Sequence, residues 1–193
     1  MFPSIAPRLT LIVPLPGGQN RVRQLILYVS GKCTEARWFG AIKLNKIIWK
    51  ADFDSFAERQ IPVTGREYRR QKFGPVLRDM LPIHRDMVRA GLIAVERRDF
   101  GDGIIEHRTI ARAVPDMSLF NPDDMKFIDA SIRHYRDLTG TEASDESHGV
   151  AWKTRQDGDP MPYELALLSD HPVDIDCRLR IEQLIYDKGW VSG

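Results

Sequence analysis

Cysteine is nearly missing: the 193 residues hold two, Cys33 and Cys177, with no CxxC spacing and no neighbouring histidine pair. That excludes a disulfide framework and the common zinc sites, and two plain thiols suit a reducing cytoplasm. Net charge is missing too, with 28 Lys and Arg against 27 Asp and Glu. A balanced chain has no global attraction for nucleic acid or anionic lipid, so a DNA-binding role would need a local basic patch. Long apolar runs are also lacking. The run Leu9 to Leu15 is broken by Pro14, Pro16 follows it, and no basic segment precedes it. Nothing approaches the roughly 20 apolar residues of a membrane span, and a signal peptide is not expected.

What remains is ordinary globular composition, 42% hydrophobic and 28% charged, enough to bury a sizeable core. Four prolines and Gly17-Gly18 make residues 1–19 an extended N-terminal arm or an edge strand, and residues 20–193 read as one helical domain. Val22, Leu25, Ile26 and Val29 mark a first helix that Gly31 stops. The strongest helix runs from Gly40 to Arg59, burying Leu44, Ile47, Ile48, Ala51 and Phe56 and turning Lys43, Lys46, Lys50 and Glu58 outward.

Thr64 and Glu67 have capping-box spacing for a short helix through Tyr68, and Pro75 suits the first turn of the next one. A further helix, with Ile83, Met87 and Val88 inward, stops at Gly91, a left-handed cap. Leu92–Phe100 and Ile104–Val114 flank Gly101-Asp102-Gly103 as a β-hairpin that resembles a wing. Asn121-Pro122-Asp123-Asp124 opens another helix, the carboxylates serving the helix start rather than acid-base chemistry. Short helices are expected within Gly140–His148 and Tyr163–Leu168, with Trp152 a buried return between them. A last helix is capped by Asp174 or Asp176. The fold class is mainly α with a small β-hairpin, an α+β multi-helix domain.

The segment Lys43 to Phe53, reading KLNKIIWKADF, resembles the "KLxKLLYxADF" helix of the Panacea (SocA-like) antitoxin family. Ile61 to Gly65 with Tyr68, then Phe73-Gly74-Pro75-Val76, stand where that family has "G.pITG…Y…YGPV". Gly91-Leu92-Ile93 and Ser147-His148 with Trp152 resemble its later "GLI" and "SH…W" elements. Trp49 and Phe73 replace common tyrosines, which keeps a ring and loses a phenol.

The resemblance implies a cytoplasmic, helical antitoxin with a small hairpin, from a prokaryotic or phage toxin-antitoxin system. Its partner is a cognate toxin protein encoded nearby, neutralised by contact, and some relatives deliver the toxin to a AAA+ protease as adaptors. Neither role needs a catalytic residue, a cofactor or a metal, so the chain is not expected to be an enzyme.

His84-Arg85-Asp86 and Asp99-Phe100-Gly101 spell kinase triplets, but Gly91 stands where the catalytic loop needs asparagine, so the match is chance. His148 is a structural imidazole near Trp152 in preference to a catalytic base, since no nucleophile is linked to it. Asp52 pairs with a lysine one turn away or with an arginine of the Tyr68–Lys72 segment. Lys43, Lys46, Trp49, Lys50, Tyr68, Arg69 and Arg70 are the candidate toxin-binding rim. Leu44, Asp52, Gly65, Phe73, Gly74, Pro75, Gly91, His148 and Trp152 are structural. DNA is the second-ranked partner, reached through a wing carrying Arg97, Arg98, Arg108 and Arg112.

Overall fold

The computed structural model describes residues 9–168, so the expected helix after Asp174 lies outside the described residues. Helix α1 spans Gln19–Lys32 and α2 spans Ala41–Arg59. The hairpin β1 (Tyr68–Gln71) and β2 (Gly74–Leu77) follows, then α3 (Met80–Arg89). A second hairpin joins β3 (Ile93–Asp99) to β4 (Ile105–Ala111). Helices α4 (Pro122–Tyr135), α5 (Gly140–Glu146) and α6 (Val150–Lys153) come next. Strand β5 (Pro160–Met161) and a 3-10 turn at Tyr163–Leu167 close the described chain.

The architecture is α+β, as its sequence implies, with α2 at the centre. It packs against α1, α4, α5, β2, β4 and the Tyr163–Leu167 turn. Val22, Leu25, Ile26 and Val29 of α1, Leu44, Ile47, Ile48 and Ala51 of α2, and Ile128 and Tyr135 of α4 form the core. The Asn121 cap is reciprocal: Asn121 accepts from Asp124 N–H, and Asp124 accepts from Asn121 N–H. Asp124 also takes Arg21 at 2.7 Å and Arg59, which ties α1 and α2 to the start of α4.

Four expectations fail locally. Residues 64–68 form no helix: Tyr68 begins β1, paired on one side with Leu77 and on the other with Met161. Pro75 lies on β2 opposite Arg70 and not at a helix start, because Gly74, at φ +95°, turns the chain straight back from β1. Helix α1 runs through Gly31 to Lys32. Val88 is exposed, leaving Ile83, Met87 and Met80 to bury the inner face of α3.

The wing hairpin and Gly91 at φ +69° are as expected. Residues 9–15 form an arm without strand pairing, and a turn in which Gly18 N–H donates to Leu15 O at 3.0 Å leads it into α1. The arm is fastened where Tyr163 N–H meets Thr10 O at 2.9 Å and Val13 N–H meets Gly65 O at 3.0 Å. Gly65 is at φ +69°, and a Cβ there would run into the carbonyl of Val13.

Candidate functional site

The candidate residues on α2 divide into buried and exposed sets along lines that its helical period alone does not reveal. Lys43 and Lys46 are each 1% exposed. The helix is surrounded on several sides, so residues beyond the apolar stripe are enclosed as well. Each ammonium has a backbone acceptor: Lys43 donates to Arg136 O at 3.0 Å, and Lys46 donates to Pro75 O at 2.9 Å. Burial lowers the pKa of both, that of Lys46 to about 7. They are removed from the proposed rim. Lys50 stays at the surface, paired with Asp54 at 3.1 Å. Trp49 is half-buried against Phe53, and its indole N–H has no hydrogen-bond partner among the described residues.

Asp52, on the central helix, is fully buried. Among the described residues it meets no cation, contrary to the expected lysine or arginine pairing. Instead it accepts from the N–H and hydroxyl of Thr64 and from the Tyr68 hydroxyl at 2.6 Å. The Tyr163 hydroxyl, 3.5 Å away, donates to Arg66 O at 2.7 Å. Desolvation outweighs these donors and raises the Asp52 pKa to about 6. Tyr68 is therefore a core residue, 1% exposed, with its ring edge-on to Phe53. It too leaves the candidate rim, and with Asp52 and Thr64 it ties the β1 strand to α2.

The "SH…W" element is a stack. The His148 and Trp152 rings lie 3.9 Å apart, and the Arg70 guanidinium sits 3.8 Å over the Trp152 ring. Trp152 is half-buried rather than fully enclosed, and its indole N–H donates to Gln71 O at 2.9 Å. Arg70 also pairs with Asp157 at 3.0 Å. Burial, with Lys46 nearby, lowers the His148 pKa. The arrangement clamps the β1–β2 hairpin onto the α5–α6 segment.

What faces solvent is a groove of about 530 Å³ between the first turns of α2 and the β1–β2 hairpin. Ile42, Arg69, Lys72, Phe73, Arg78 and Leu81 line it. Of the expected rim, only Arg69 is on its edge, with Lys46 below the surface. Phe73, expected to be structural, is 53% exposed at the hairpin turn. Ile42, Arg78 and Leu81 escaped sequence reasoning; the signal available was the Lys72-Phe73 pair at a turn closed by Gly74.

A second cleft, of about 500 Å³, lies across Ile42, between Trp38, Phe100, Ile104 and Ile105 and the Thr139–Thr141 segment. Among the described residues no cluster of His, Cys, Asp and Glu could hold a metal ion, and no helix is long and apolar enough to cross a membrane.

The wing offers few free cations. Arg97 pairs with Asp99 at 3.1 Å and Arg98 with Glu96 at 2.7 Å. Arg108, expected to touch phosphates, is wholly buried. It pairs with Glu106 at 2.8 Å and donates to the carbonyls of Thr34 and Ala36. Arg112 is exposed and has no salt bridge among the described residues.

No curated protein and no solved structure matches the chain. The model of the family described as "Antitoxin SocA-like, Panacea domain" matches residues 44–153. That span takes in most of α2, both hairpins, α4 and the His148–Trp152 stack, more than half the chain, and the protein belongs to the SocA-like, Panacea-domain antitoxin family.

Proposed function

We propose that this protein is an antitoxin that binds a toxin encoded beside it and neutralises it by direct contact, without catalysis. Family membership carries the reading. It is supported by how the motif residues are used: Leu44, Asp52, Tyr68, Gly74 and the His148–Trp152 pair hold elements together. With these residues committed to the scaffold, we assign recognition to the apolar and cationic groove. Delivery of the bound toxin to a AAA+ protease is the finer form of the same role.

The test is co-expression with the product of the adjacent gene, read as rescue of growth and as a complex that survives purification. A toxic neighbour that is neither bound nor neutralised overturns the reading. Toxin lifetime measured with and without protease separates sequestration from delivery. DNA binding stays second because Arg97, Arg98 and Arg108 already hold carboxylates or backbone. A mobility shift on its own promoter that falls steeply with salt would restore it.

A further inference from the structure

The groove beside α2 combines two properties that together define an occupant. Its apolar wall comprises Ile42, Phe73, Val76 and Leu81. Phe73 is 53% exposed and Leu81 58% exposed. Large apolar side chains turned to solvent along a concave wall favour burial of an incoming apolar side chain. The charged lining at the rim is of one sign, Arg69, Lys72 and Arg78, with no carboxylate among the lining residues, while Lys46 lies buried beneath the floor.

Some of that charge is offset from outside the groove. Arg69 and Arg78 both turn to Glu67, at 3.2 Å and 2.7 Å, so one carboxylate serves two guanidiniums. Lys72 has no salt bridge among the described residues, and its ammonium lies 5.4 Å from the Phe73 ring centre. The rim keeps an excess of positive charge directly beside the apolar wall. A basic segment would be repelled there, and a nucleic acid would use the cations while leaving Val76 and Leu81 uncovered.

We propose that this groove receives an apolar, acidic segment of a partner protein, with a large side chain seated beside Phe73 and Leu81 and carboxylates on Lys72 and Arg78. The identity of the partner as the toxin rests on the antitoxin reading; the chemistry of the groove does not. Phe73 and Lys72 lie together at the hairpin turn, so both can be changed without touching the core.

The experiment has two arms. In the first, two short synthetic peptides share the same leucines and phenylalanine, and one carries glutamate where the other carries lysine. Each is titrated into the full-length protein while backbone amide resonances are followed. The glutamate peptide shifts the amides of Ile42, Lys72, Phe73 and Arg78, and the lysine peptide does not. Equal shifts from both peptides, or none at the groove, overturn the proposal.

In the second arm, Lys72→Glu and Phe73→Ser variants are titrated with the purified product of the adjacent gene. Each keeps the wild-type melting temperature and loses affinity on the order of tenfold or more, whereas Lys126→Glu, away from the groove, does not. Toxin binding that survives both substitutions places the interface elsewhere and leaves the antitoxin reading intact. Absence of toxin binding by the wild type defeats that reading while the peptide arm still decides the groove. A duplex or single-stranded oligonucleotide that shifts the same amides at physiological salt, where the glutamate peptide does not, makes the groove a nucleic-acid site and overturns the proposal.

Discussion

The ammonium of Lys46 donates to the carbonyl of Pro75 at 2.9 Å, a bond that joins the central helix to the β2 strand of the hairpin beside the groove. The two residues are 29 positions apart in the chain and meet in the protein interior. Gly74 makes the approach feasible: at φ +95° it lacks the Cβ that would overlap the Lys46 ammonium and the Ser147 hydroxyl.

Gly74→Ala therefore combines a left-handed backbone penalty with a clash. Denaturant unfolding should show a loss of about 2 kcal/mol or more, since the left-handed region alone costs an L-residue roughly 1–2 kcal/mol. A loss of only a few tenths would show that the hairpin relaxes freely.

Burying Lys46 makes stability depend on alkaline pH. Its folded pKa of about 7 lies below the ordinary 10.5, so between those values the unfolded chain binds the extra proton. Stability then rises with pH from about 7 to about 10.5, and the penalty of holding an ammonium in the core is complete only below that window. Lys46→Met should flatten this rise when unfolding free energy is compared with wild type across the window. It leaves Pro75 O without its donor, a cost of about 1–3 kcal/mol at the top of the window.

Asp52 has the opposite sign. Its folded pKa of about 6 lies above the ordinary 3.8, so the folded protein holds the extra proton between them. Its contribution is most favourable below about pH 4 and is lost as pH rises through about 6. Asp52→Asn should remove that slope in unfolding curves taken between pH 4 and 7. Tyr68→Phe, which deletes the 2.6 Å bond, should cost about 1–3 kcal/mol.

Leu44 is 2% exposed in the middle of the core. Leu44→Ala should cost about 2–5 kcal/mol by cavity formation, read as a lower denaturant midpoint with the same m value. A variant this destabilised loses neutralisation through unfolding, so it reports on the scaffold and not on the interface.

The legible parts of the fold were those specified within one element. The stripe Leu44, Ile47, Ile48 and Ala51, the Asn121 cap and the Gly101-Asp102-Gly103 turn each carry their signal in a few neighbouring residues. Lys43 and Lys46 misled because a helix enclosed on several sides buries more than one stripe, and each lysine finds a carbonyl far along the chain. Asp52 misled for the same reason: its partners Thr64 and Tyr68 belong to another element, and no local spacing distinguishes a hydroxyl partner from a cation.

Phe73 was legible as a family-motif aromatic but not as a surface residue. Its exposure follows from the β1–β2 hairpin, which was itself concealed by capping-box spacing at Thr64 and Glu67 that the chain does not use. The groove is thus a property of two elements meeting, and its basic rim is spread over Arg69, Lys72 and Arg78.

The central claim, neutralisation by direct contact, is tested most directly by isothermal titration of the purified protein with the purified product of the adjacent gene, without DNA, nucleotide or protease present. The account predicts a saturable complex of defined stoichiometry and inhibition of the toxin at the same molar ratio. Neutralisation in cells with no binding of the two purified proteins would contradict it.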